Sequence, residues 1–229
     1  GHQLTVVAAR PPDTNSSNIH NIILEELVDY IETKWYSFQR ESPFEFITNV
    51  VGQFRTLYTA GYRSLMSKQE FRTIVFNKTV DLVIVDAILQ DFTLPIIDHL
   101  GVPFIFYSPA AGIPWVLDAM DASQEYALVP ATGLDFSSRM SLMQRVVNTF
   151  MGEGLLAMRR WFVLSLVDEL ARDDFPNARR AADIERDAQL CFANIHPATS
   201  LPRSLPPSVI PVGALHVRPP RQLPKVLYL

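Results

Sequence analysis

Asp86 stands directly after the apolar run Asp81-Leu-Val-Ile-Val85, and a carboxylate in that position has two uses. It can cap the turn that follows by accepting backbone N–H groups. Alternatively it can hold a histidine in one tautomer and stabilise that ring's positive charge, as the acid of a catalytic triad does. None of the five histidines (His2, His20, His99, His196, His216) is an obvious partner in the sequence, so both uses stay open. The neighbouring positions able to line a ligand site are Asp91, Phe92, Ser108, Pro109, Gly112 and Trp115. All fall where an open α/β sheet gathers its ligand contacts, beyond the carboxyl ends of the strands.

The elements that must carry these residues lie between Asp81 and Pro109. A short β-branched run with no polar alternation is the pattern of a strand covered on both faces. Phe92, Leu94, Ile96, Ile97 and Leu100 then recur at helical spacing, Gly101 ends that helix, and Val102-Pro-Phe-Ile-Phe-Tyr107 is a second buried run. Strand, helix and strand make one right-handed parallel crossover. Asp86 and the loop Ser108–Trp115 close its two carboxyl ends.

Composition narrows the classes of function. The 229 residues are 48% hydrophobic and 19% charged, enough for a full core. A net charge of −4 with no basic stripe argues against nucleic acid as a partner. The single Cys191 excludes an internal disulfide framework and a cysteine zinc site, and its apolar setting marks a buried thiol. No histidine pairing of metal-site type occurs. The eighteen uncharged residues from Leu100 to Leu117 are long enough to span a bilayer, but Gly101, Pro103, Pro109, Gly112 and Pro114 break any helix through them. Asn15-Ser-Ser17 and Asn77-Lys-Thr79 are acceptor sequons, a pattern short enough to arise by chance.

Along the chain, Leu4–Ala9 is expected as a buried strand and Asn18–Glu26 as another. Ser42-Pro43-Phe44-Glu45 has the form of a capping box opening a long helix, whose stripe runs through Phe54, Leu57, Tyr58, Tyr62 and Leu65. Ser67-Lys-Gln-Glu70 repeats the signal. A long helical region is expected from Ser137 to about Leu170, kinked near Gly152 and Gly154. Four of the six methionines fall there, either as gap-filling core or as an adaptable apolar wall, with Met143, Phe150 and Met158 in the second role. Gly152-Glu-Gly154-Leu-Leu-Ala157 mimics a dinucleotide fingerprint but follows a helical stripe rather than a strand, which rejects it. Asp173–Asp187 suits a short surface helix and Leu190–Ala193 a last strand. From Ser200 the prolines suggest an extended linker.

The ordered set Asp81-Leu-Val-Ile-Val-Asp-Ala87, Ser108–Trp115 with Val116-Leu117-Asp118, Arg139–Asn148 and Leu205–Val217 resembles the N-terminal half of animal UDP-glycosyltransferases (UDP-glucuronosyltransferase and UDP-glucosyltransferase types). The resemblance implies an α/β fold, a Rossmann-like parallel sheet with helices on both faces, as in the N-terminal half of a GT-B enzyme. It implies an acceptor-binding domain over residues 1–209 and, over 210–229, a linker toward a second domain that binds the UDP-sugar. The parent enzyme would transfer a hexose from the UDP-sugar, a donor substrate rather than a cofactor, to a hydroxyl of a small lipophilic acceptor with inversion. Asp86 matches the acid that orients the family's catalytic histidine, and the candidates from Asp91 to Trp115 become acceptor contacts.

Gly1-His2 matches the end of the family's first helix. The resemblance therefore places the first strand and catalytic histidine before residue 1, and the lumenal endoplasmic-reticulum anchor in a C-terminal segment beyond residue 229. With the family's strand order the missing strand falls between Leu4–Ala9 and Asp81–Val85, leaving backbone groups unpaired at about 1–3 kcal/mol each. The piece alone is thus expected to be poorly stable and inactive. A truncated, non-catalytic module that binds apolar ligands, or pairs with itself or an intact partner, is the other reading.

Overall fold

The computed structural model describes residues 1–229 apart from 12–15, 31–42, 111, 197, 199, 202, 216 and 218–229. The expected unit appears where the apolar runs place it. β3 (Val83–Asp86) pairs in parallel with β4 (Phe104–Ser108), and the connection is one 3₁₀ turn, Asp91–Thr93, followed by α4 (Leu94–Leu100). Gly101 caps α4 at φ 69°, the left-handed conformation that favours glycine. β5 (Leu190–Ala193) pairs in parallel with β4, and β6 (Val209–Pro211) in parallel with β5. The sheet order is therefore β3-β4-β5-β6. This architecture is α/β and Rossmann-like, with every strand ending at the same rim.

A second, two-stranded parallel sheet joins β1 (Leu4–Ala8) to β2 (Ile19–Ile23). Among the described residues no strand pairing links the two sheets. Consequently β1 is largely exposed, and Ile84 of β3 is 57% exposed. Both were expected to be buried. An unbroken apolar run marks a strand with covered faces only when neighbours lie on both sides, and β3 is an edge strand here.

The helices supply the core. α1 (Glu25–Tyr30) contributes Leu27, α2 (Pro43–Ser67) Leu57, Tyr58, Tyr62 and Leu65, and α3 (Gln69–Asn77) Val75. The expected cap Ser42 lies outside the described residues. Ser67 caps nothing: its hydroxyl donates back to the Ser64 carbonyl at 2.8 Å. α5 (Pro114–Ala119) leads to α6 (Leu142–Met158), which opens on a true capping box between Ser141 and Gln144. A π-helical segment, Arg159–Leu164, and α7 (Ser165–Ala171) continue it.

α6 runs through Gly152 and Gly154 without a break in its helical assignment. Gly152 instead admits the Tyr126 ring, since a Cβ there would lie 2.2 Å from it. The expected surface helix is α8 (Ala181–Ile184) with a 3₁₀ turn, Glu185–Asp187, and Ala181, Ile184 and Glu185 are all buried. The proline-rich stretch read as linker from Ser200 contains β6, so the 209/210 boundary falls inside a paired strand.

Candidate active site

At the carboxyl rim, the ends of β3 and β4, the start of α4, α5 and the first π turn enclose a small hollow. Its walls include Asp86, Asp91, Trp115, Arg159 and Glu185, with Val85, Leu94, Phe106 and Val116 as the apolar part. Asp86 ends β3. Its Oδ1 accepts the Ile88 N–H at 2.8 Å, so the turn-capping use expected of a carboxylate after a strand is present. Asp86 is nonetheless solvent-exposed at the hollow's mouth. Partial desolvation pushes its pKa up, and the Ile88 N–H only partly offsets this.

Behind it lies a closed corner of charge. Arg159 Nη2 donates to Asp91 Oδ1 at 2.5 Å and to Glu185 Oε2 at 2.7 Å. Tyr58 donates its hydroxyl to Asp91 Oδ2. All of these side chains are nearly buried. Burial alone would lower the Arg159 pKa, but the two carboxylates more than compensate and hold it firmly protonated. Burial pushes Glu185 up despite Arg159, and pushes the Tyr58 hydroxyl far up, with Asp91 adding to it. The Trp115 indole is pinned between these regions: Nε1 donates to the Ala87 carbonyl at 3.2 Å, and the Arg159 guanidinium sits 5.8 Å from the ring centre. Asp86, Asp91 and Glu185 line the hollow with a single guanidinium, a formal excess of carboxylates that favours a positive charge arising at its mouth.

Of the candidate site residues, Asp86, Asp91 and Trp115 line the hollow together. Phe92 is a core residue packed edge-on against Tyr58. Ser108 is buried, its hydroxyl donating to the Ala110 carbonyl. The Pro109 carbonyl accepts from Asn194 Nδ2 at 2.9 Å, and the Gly112 carbonyl accepts from Arg203. Phe92 thus belongs to the core, and the other three build the loop rather than the hollow's wall. Met143 and Phe150 are exposed on α6, and neither they nor Met158 line the hollow. Among the described residues no histidine lines it either. His99 packs against Phe175 and Phe76, with ring centres 5.0 and 5.5 Å away. Tyr58, Arg159 and Glu185 were not singled out from sequence. The only local signal was the pair Arg159-Arg160 inside an otherwise apolar helical run.

No family model and no solved structure matches the chain. Curated proteins do. UDP-glycosyltransferase UGT5 of Dactylopius coccus is 24% identical over 98% of this chain and 44% of its own length. UDP-glucosyltransferase 2 of the same insect is 26% identical with the same coverage. UDP-glucuronosyltransferase 2B7 of Rattus norvegicus is 26% identical over 78% of this chain and 34% of its own length. A parallel α/β fold with an acid at its carboxyl rim defines a Rossmann-like domain with a ligand-facing edge. The chain resembles the N-terminal half of UDP-glycosyltransferases. It spans under half the length of these relatives.

Proposed function

We propose that this chain is the acceptor-binding half of an inverting UDP-glycosyltransferase acting on a hydroxyl of a small lipophilic molecule. The observation that carries this reading is Asp86, an acid at the carboxyl rim with one oxygen engaged in its own turn and its carboxyl at the mouth of a hollow lined by an excess of carboxylates. A hydroxyl is a poor nucleophile near neutral pH and needs a positioned base. In this reading a histidine from outside the described residues takes the acceptor proton. The acceptor oxygen attacks the anomeric carbon as the bond to UDP breaks, and UDP leaves with the bonding pair. Asp86 accepts the other imidazole N–H, fixing the ring's tautomer and steadying the imidazolium, which the hollow's excess of carboxylates also favours.

Trp115 supplies the flat apolar surface for the acceptor's reacting end. The small hollow holds that end only, and the remainder of the molecule lies outside it. The exposed residues of β1 and β3 support a further strand between the two sheets, and such a strand would bring the histidine to Asp86. We place the parent enzyme at the lumenal face of the endoplasmic reticulum membrane. Among the described residues no helix is long and apolar enough to cross a membrane.

The test uses the intact enzyme with a UDP-sugar and a simple phenol. Asp86→Asn lowers kcat by about 10²–10⁴-fold, the range of a general-base system losing its function, and Trp115→Ala raises KM with a smaller loss in kcat. Full activity in Asp86→Asn rejects the assignment.

A further inference from the structure

Stability alone does not account for the charged corner behind the hollow. One nitrogen, Arg159 Nη2, serves both Asp91 and Glu185. Arg159 Nε is buried and, among the described residues, has no hydrogen-bond partner. A buried ion group with an unsatisfied N–H offers no stability advantage over a well-packed apolar corner of similar volume. What it provides, and an apolar corner does not, is a guanidinium plane fixed in one place. That plane stands over the Trp115 ring, 5.8 Å from its centre, within the range of a cation–π contact.

A line of contacts leads from Trp115 to Asp86. Trp115 Nε1 donates to the Ala87 carbonyl at 3.2 Å, the Ala87 N–H donates to the Tyr107 carbonyl at 2.8 Å, and the next N–H, that of Ile88, caps Asp86. Trp115 itself rides on α5, a helix of six residues that opens on Ile113, which has no polar side chain to cap it. A helix that short does not hold its own orientation, so its neighbours must supply it. Two adjacent arginines at the start of the π segment do so. Arg160 pairs with Asp118 of α5, but both side chains are partly in solvent, where an ion pair holds its geometry weakly. Arg159 is nearly buried, and its contact is with Trp115.

We propose that Arg159 is a positioning residue for the sugar transfer: through Trp115 it fixes the acceptor's reacting end against Asp86. Asp91 and Glu185 hold the guanidinium in turn. This role rests on the reading of Trp115 as the acceptor's apolar surface.

The intact enzyme is assayed for transfer from UDP-glucose and from UDP-glucuronate to para-nitrophenol, with urea unfolding of the same variants. Arg159→Lys keeps a cation between the carboxylates but loses the flat guanidinium. It should raise KM for the phenol by about threefold to tenfold, the worth of a desolvated cation–π contact, with a smaller change in kcat. In the Trp115→Ala background the same substitution should leave KM unaltered, because the side chain it acts through is gone. Arg160→Gln, which loosens α5 without touching Trp115, should leave KM as in wild type. A corner rebuilt without charge (Arg159→Met, Asp91→Leu, Glu185→Met and Tyr58→Phe together) leaves no unpaired ion and serves where Arg159→Lys does not fold; it too should raise KM. A wild-type KM in the folded Arg159 variants overturns the proposal alone, as does full multiplication of the Arg159→Lys and Trp115→Ala effects. A wild type that uses neither donor, or a Trp115→Ala enzyme with wild-type KM, rejects the acceptor-site reading and the proposal with it.

Discussion

Asp86 and Asp91 stand five residues apart at the edge of one hollow, and the structure treats them oppositely. Asp91 is nearly buried, with one oxygen on Arg159 and the other on Tyr58. Asp86 is exposed, with one oxygen on the N–H of its own turn. An acid whose oxygens are both consumed by buried partners is a structural tie. An acid with capacity left at the mouth of a cavity is available for chemistry. Chemical type alone would not separate them, and both were candidates from the sequence. The difference lies in which distant side chains arrive.

The contrast is broken most severely at Arg159. Arg159→Ala leaves Asp91 and Glu185 buried without their cation, and removing one partner from a buried ion group costs about 3–5 kcal/mol. Urea unfolding should show a loss of that size, and an unchanged midpoint would mean the corner carries no structural weight. A smaller effect follows from Tyr58→Phe, which deletes one donor to a charged acceptor, worth about 1.5–3 kcal/mol. Its loss should be largely absorbed in the Arg159→Ala background, because both act on Asp91. Full additivity in that double mutant would mean that Tyr58 and Arg159 are not coupled through it. The smallest stability effect belongs to Asp86→Asn, since an amide oxygen still accepts from Ile88.

The sign at Asp86 follows from its raised pKa. Burial penalises the carboxylate in the folded state, so any stability contribution is present below the ordinary aspartate pKa of about 3.9 and is lost as pH rises through the raised folded value. Wild type should therefore match Asp86→Asn in acid and be equal to or slightly less stable than it at neutral pH. A wild type more stable at neutral pH would place Asp86 among the structural acids beside Asp91.

The β3–α4–β4 unit was legible because everything that specifies it is local: two apolar runs, a helical stripe and Gly101. The corner was not, since Tyr58, Asp91, Arg159 and Glu185 come from four separate elements and no spacing in the chain links them. β6 escaped notice because Pro206, Pro207 and Pro211 surround Val209 and Ile210, whereas an outer strand tolerates such residues. The α6 stripe revealed a helix but not which side faces in. Periodicity assigns the apolar face to the core by default, yet Leu142, Met143 and Phe150 are exposed while Asn148 and Arg159 are buried.

The most direct test of the central claim is to measure Asp86→Asn twice on the same preparation, by thermal unfolding at neutral pH and by sugar transfer in the intact enzyme. The account predicts an unfolding midpoint equal to or above that of wild type, together with a kcat lower by about 10²–10⁴-fold. A protein that transfers sugar at the wild-type rate, or one that loses activity only in proportion to lost fold, contradicts it.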